Sequence, residues 1–175
     1  GAIGTSTTSV TLTLTAADAT SGIYQVRYSN NGTIWTAWEA FSSTKAWTLT
    51  SGDGTKTVYY QVVDRAGNAV LRSDAIVLDT VSPPAGSSTI GATMGEDGWY
   101  VSDIAVTLDA SDNVGGSGID AILYRVDGGT WQDYVTTFYL TTDGYHTVDF
   151  YAVDNAGNDG VTSSISLKRD ATAPS

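Results

Sequence analysis

The side chains in this sequence that could do chemistry are mostly carboxylates. Asp112-Asn113, the run from Asp154 to Asp159 and the single Asp79 ahead of them supply carboxylate and amide oxygens at short spacing. That donor set suits a hard cation such as Ca²⁺, which takes six to eight oxygen ligands. A matching set, Asp18, Asp64 and Asn68, sits earlier in the chain. Cysteine is absent, which removes thiolate metal sites and disulfides. His146 is the only histidine, so no Ser/His/Asp arrangement can be repeated along the chain. It falls mid-strand opposite Lys56, where a solvated side chain is expected. Paired carboxylates are plentiful, but no aromatic-lined cleft is evident for an acid and nucleophile to act in, and the chain is read as a non-enzyme. Gly115-Gly116-Ser117-Gly118 lacks the Lys and helix of a phosphate loop and reads as an inter-strand loop.

These residues recur because the chain repeats itself. Val63-Asp64-Arg65-Ala66-Gly67-Asn68 and Val153-Asp154-Asn155-Ala156-Gly157-Asn158 each close a run of alternating apolar residues. Around them Ser21-Gly22-Ile23 matches Ser117-Gly118-Ile119, Tyr28 matches Tyr124, Trp35 matches Trp131, and Asp53-Gly54 matches Asp143-Gly144. Two domains, 1–80 and 81–175, joined by a short Pro-containing linker around 79–86, are the simplest reading. The second is the acidic one: residues 1–80 carry five Lys/Arg against six Asp/Glu, residues 81–175 three against thirteen. Such a balance repels phosphate backbones and anionic headgroups, which argues against nucleic-acid binding and membrane docking. No signal peptide or membrane-spanning run is seen, and the abrupt start at Gly1-Ala2-Ile3-Gly4 is compatible with excision from a longer chain.

Thr, Ser, Val, Tyr and Gly dominate, while strong helix formers are sparse, so strands are expected. In the second half, Trp99-Tyr100-Val101 and the alternating Ile104, Val106 and Leu108 read as opening strands. Strands over 119–126, 131–134, 138–140 and 145–153 follow, with turns at Asp127-Gly128-Gly129, Asp143-Gly144 and Asn155-Ala156-Gly157 and a last strand through Ile165 and Leu167. About seven short strands per unit is the spacing of a β-sandwich.

Gly98-Trp99-Tyr100, Ser117-Gly118-Ile119, the stretch from Tyr124 to Trp131, Asp143-Gly144-Tyr145-His146-Thr147 and Ala152-Val153-Asp154-Asn155-Ala156-Gly157-Asn158 resemble the bacterial Ig-like repeats of surface proteins. The likeness thins in the first unit, where the stretch from Tyr24 to Tyr28, Trp35 and the Asp64 to Asn68 phrase match but no Gly-Trp-Tyr opening is present. The resemblance implies an all-β chain of two tandem Ig-like antiparallel β-sandwiches. It also implies an extracellular or cell-surface location in a prokaryote, in adhesin stalks or multimodular secreted hydrolases, where such modules act as spacers or binders.

In an Ig-like sandwich the loop after the second strand and the loop of the final hairpin share the end where the chain enters. Asp112, Asn113, Asp154 and Asp159 are therefore expected near the incoming linker and Asp79, as an interdomain calcium site. The alternative reading has Asp64 and Asp154 bonding the amides of their own turns, with Gly67 and Gly157 at positive φ. Flat Trp faces stack on sugar rings. Trp35 and Trp131 hold equivalent repeat positions and read as packing residues, which leaves Trp38 and Trp47 as the glycan candidates. Asp170-Ala171-Thr172-Ala173-Pro174-Ser175 echoes the linker, and setting Gly1-Ala2-Ile3-Gly4 after it regenerates a similar join, as in one period of a longer array. The expected role is a structural repeat of an adhesin stalk or filament, whose partners are neighbouring repeats and, in a self-assembling fibre, further copies. The alternative is an accessory carbohydrate-binding or spacer module of a secreted polysaccharide-degrading enzyme.

Overall fold

The computed structural model describes residues 2–174; Gly1 and Ser175, which the sequence reading places in the first and second repeats, lie outside them. The chain divides into two compact units. One holds the residues up to Thr80 together with Gly115–Ser117, and the other holds Val81–Val114 and the residues from Gly118 onward. Among the described residues each unit carries seven strands.

In the first unit, β1 (Gly4–Thr5), β3 (Ile23–Ser29), β4 (Glu39–Ala40), β6 (Gly54–Asp64) and β7 (Ala69–Leu78) form one sheet in the order β1-β7-β6-β3-β4. All its pairings are antiparallel except the parallel β1–β7 contact. A second sheet contains only β2 (Ser9–Thr13) and β5 (Thr44–Thr48). Strand alternation turns Val26, Tyr28 and Val62 of the first sheet inward, where they pack with Leu14, which follows β2.

In the second unit, β10 (Ile119–Val126), β11 (Gln132–Asp133), β13 (Gly144–Asp154) and β14 (Ser163–Arg169) make one sheet in the order β11-β10-β13-β14. The other runs β12-β9-β8, from β8 (Ser87–Gly91), β9 (Ile104–Asp109) and β12 (Phe138–Leu140). Ile104, Val106, Leu108 and Leu140 from the three-stranded sheet meet Val148, Phe150 and Leu167 from the four-stranded one in a single apolar core. Two sheets burying their inner faces against each other make a β-sandwich.

The strand at Trp99-Tyr100-Val101 is absent. A short 3₁₀ turn occupies Glu96–Gly98, with Asp97 at φ 51, and Tyr100 makes only isolated bridges to Met94 and Arg169. The opening strand is instead β8, whose Ser-Ser-Thr-Ile-Gly sequence has one large apolar residue, Ile90, packed on the core.

Candidate functional site

The acidic loops of the second unit follow from its strand ends. β9 leads into Asp112, whose Oδ2 accepts the Gly118 N–H at 2.7 Å and whose Oδ1 accepts the Asn113 N–H at 2.8 Å. With its amide nitrogen turned toward acceptors, Asn113 donates to Val81 O at 3.2 Å and to Asp112 Oδ1 at 2.7 Å. Asp154 closes β13 and is buried. Its Oδ1 accepts the N–H groups of Ala156 and Asn158, both at 2.9 Å, and its Oδ2 accepts Asn158 Nδ2 at 2.7 Å. Carboxylate oxygens of Asp112 and Asp154 lie within 4.8 Å of each other, a separation that two ligands of one Ca²⁺ can span. Asp159 stands apart: it is exposed and pairs through its backbone with Val153. Asp79, at the end of the first unit, is fully buried; its N–H donates to Thr5 O at 3.0 Å and its Oδ2 accepts the Ser117 N–H at 2.7 Å.

The first unit builds the same loop ends with different lengths. Asp18 Oδ1 accepts the N–H groups of Ser21 at 2.6 Å and Gly22 at 2.7 Å, and these bonds hold its carboxyl below the usual range, Gly22 contributing most. Asp64 takes the Asn68 N–H on Oδ1 and Asn68 Nδ2 on Oδ2, both at 2.8 Å, and Asn68 is the main reason its acidity is raised. The two units agree in detail. Arg65 N–H bonds Gly22 O at 3.1 Å as Asn155 N–H bonds Gly118 O at 2.8 Å, and the β3–β6 and β10–β13 ladders shift register at the same point, after Ile23 and after Ile119. Gly67 at φ 91 and Gly157 at φ 85 turn both chains through the left-handed region.

The aromatic candidates differ in what covers them. The Arg27 guanidinium lies 4.9 Å from the Trp35 ring and 4.6 Å from the Trp38 ring, and is held there by Gln61 Oε1 at 2.6 and 2.9 Å. Trp38 is 37% exposed. Trp47 is half-buried, tilted against Tyr28 at 5.6 Å, with its indole N–H bonded to Asn30 Oδ1 at 2.7 Å. In the second unit Arg125 covers Trp131 at 4.6 Å and is anchored by Asp149 at 2.9 Å, so both units cap an outer tryptophan with a strand arginine. Composition did not reveal these caps; the arginines at alternating outer positions of β3 and β10 were the available signal.

His146 corrects its expected placement, since it is buried rather than solvated. Alternation along β13 puts it on the face of Val148, Phe150 and Ala152, and turns Tyr145 outward. Its Nδ1 meets Asp127 Oδ2 at 2.8 Å and its Nε2 meets Thr142 O at 2.9 Å. The Asp127 hydrogen bond is the largest influence raising the imidazole pKa, against the opposing effect of burial. Asp127 is held low chiefly by the Thr147 N–H and then by His146. Asp127 at φ 52 and Gly128 at φ 71 form the two-residue turn expected of an Asp-Gly pair. The pair orders a hairpin end, and His146 Nε2 also lies 3.3 Å from the Thr142 hydroxyl.

Fibronectin(III)-like modules of Clostridium thermocellum CbhA are similar to this chain in structure, with a TM-score of 0.55 at 13% identity over 95% of this chain and 88% of that one. A tetra-tandem repeat from the extending region of a large adhesion protein matches at a TM-score of 0.36 and 22% identity, over 85% of this chain and 42% of that one. The Bacteroides ovatus protein SGBP-B of a mixed-linkage glucan utilization locus, solved with a mixed-linkage heptasaccharide, matches at 0.30 and 14% identity over 97% of this chain and 67% of that one. The first of these likenesses bears out the β-sandwich fold. No family model and no curated protein matches the chain.

Proposed function

We propose that this chain is a pair of structural repeat units from an extracellular stalk or filament of a prokaryotic surface protein, giving reach through tandem sandwiches. One observation carries the reading: what the two units share atom for atom is folding hardware. The Asp64–Asn68 and Asp154–Asn158 side-chain bonds, the paired register shifts and the arginine-capped tryptophans recur. The loop from Asp18 to Gly22 and its counterpart from Asp112 to Gly118 differ in length. Partners under this reading are neighbouring repeats and, in a fibre, further copies of the protein. The net charge of −11 disfavours nucleic acid as a partner. Calcium belongs to the same proposal, with Asp112 and Asp154 as ligands that stiffen the acidic loops. Electron microscopy of the full-length protein in its source material tests the role. A fibre or stalk with a regular axial repeat is expected, and isolated globular particles carrying a separate catalytic body overturn it.

The exposed Trp38 favours a second reading, an accessory glycan-binding module. A glycan array separates the two, because that reading requires binding that Trp38→Ala abolishes while the fold is retained.

A further inference from the structure

The two units solve the same edge problem differently. In the second, β9 is paired on both sides: β12 on one, and β8 on the other, antiparallel, with Ile90 opposite Val106 and Ser88 opposite Leu108. Ile104 and Val106 are consequently sealed from solvent. In the first, the corresponding strand is β2, with Val10, Leu12 and Leu14 in the places of Ile104, Val106 and Leu108. Among the described residues β2 pairs only with β5. Leu14 N–H bonds Ser43 O and Thr8 O accepts the Leu49 N–H, so the even-numbered residues of this stretch face β5. By alternation the N–H and C=O groups of Thr11 and Thr13 face the open edge.

Beside that edge lies an open groove of about 440 Å³. Val10, Leu12 and Leu14 line one wall, and Val58, Tyr60 and Ile76 of β6 and β7 line the other, with Arg72, Ser73 and Asp74 of β7 also in the lining. Val10 and Leu12 remain half-buried at positions that are sealed in the second unit. A free ladder edge above a trough with apolar walls and a polar β7 margin is the acceptor for β-strand addition, in which main-chain bonds supply affinity and alternate side chains fill the pocket.

We infer that the outer edge of β2 is a docking site for one extended strand of β8 chemistry: Ser/Thr-rich, with an Ile directed into the trough, running antiparallel to β2. The second unit supplies the register. Transferred onto β2, Thr89 lies opposite Thr13, Ile90 opposite Leu12 and Gly91 opposite Thr11. Gly86 precedes this strand where a Cβ would approach Asp109 O at 2.9 Å, so an occupant needs a glycine at its entry. The inference stands apart from the proposed stalk role and from calcium.

The test is residue-resolved amide hydrogen exchange on the full chain, with a synthetic peptide of residues 84–93 as probe. At 100 times the peptide's Kd, exchange at Thr11 and Thr13 is expected to slow about 100-fold while the amides of β9 stay unchanged. The same peptide carrying Ile90→Asp should protect neither, and Thr11→Pro in the chain should abolish docking, because it removes an edge donor that β5 does not use. No protection at saturating peptide overturns the inference. So does protection confined to β9, which would be strand exchange in the second unit. Protection of β2 that rises with chain concentration alone also overturns it, since the occupant would then be the β2 edge of a second copy.

Discussion

Tyr28→Phe should stabilise the first unit. Tyr28 is fully buried between Val26, Val62 and Trp47, yet among the described residues its hydroxyl has no hydrogen-bond partner. An unmet buried polar group costs about 1–3 kcal/mol. Removing one oxygen leaves a void of roughly 10 Å³, which at about 24 cal/mol per Å³ returns only about 0.2 kcal/mol. The net gain expected is therefore about 1–3 kcal/mol, and each kcal/mol moves the midpoint of a domain this size by about 4–8 °C. Differential scanning calorimetry of the whole chain, with urea unfolding followed by amide exchange of the first unit, reads the change. Burial, with Glu39 as a second influence, raises the phenol pKa. The favoured neutral form contributes stability below the unfolded value of about 10, and this is lost as pH climbs through the folded value. The Phe variant should accordingly keep its first unit folded to higher pH than the parent. Tyr124, the matching position, is half-buried and stacked on Phe138 at 4.2 Å, so Tyr124→Phe should change the second unit by less than about 0.5 kcal/mol. Destabilisation by Tyr28→Phe would refute the reasoning, because it would mean that the hydroxyl is satisfied in solution.

Asp154→Ala removes the acceptor of three hydrogen bonds from a buried turn and should cost the second unit about 3 kcal/mol, seen as a lower urea midpoint; a loss under about 1 kcal/mol would contradict the turn-locking role. The His146–Asp127 pair sets a pH window. The raised His146 pKa gives stability that is complete below its unfolded value of 6.5 and lost as pH rises through the folded value, and the lowered Asp127 pKa gives stability present above 3.8 and lost as pH falls through its own. Urea midpoints of the second unit should therefore peak between these limits, and His146→Ala should flatten the upper side. Ca²⁺ should raise the melting temperature of the second unit, EDTA should reverse it, and Asp112→Ala should abolish the response; identical thermograms with and without Ca²⁺ would remove calcium from the account.

Much of the fold was legible where side chains alternate without interruption. Ile104, Val106 and Leu108 announce β9, and the run from Tyr145 to Val153 announces β13, because period-two apolar spacing has one pleated solution. β8 was not legible, since Ser87-Ser88-Thr89-Ile90-Gly91 has too few apolar residues to alternate and is held by the ladder to β9. Trp99 and Tyr100 look strand-like, but the turn ahead of them, with Asp97 and Gly98 at positive φ, breaks the extended path, and Trp99 packs edge-on against Tyr145 while Lys168 covers it. His146 was misplaced by comparison with Lys56, whereas counting parity back from Val148 would have placed it inward. The carboxylates of the loops were visible as a group. The amides of Asp154's own turn were among the partners the sequence offered, and Ala156 and Asn158 supply them; the Gly118 amide that bonds Asp112 was not, because nothing in the sequence marks it as a donor.

The central claim is that each half is a self-contained sandwich of the same construction. Single-molecule pulling of this chain between unrelated handles tests it most directly. Two separate unfolding events are expected, each lengthening the tether by roughly 25 nm, as about 80 residues at 3.3–3.6 Å each pass from folded to extended. One event releasing the whole length, or a featureless extension, would contradict it.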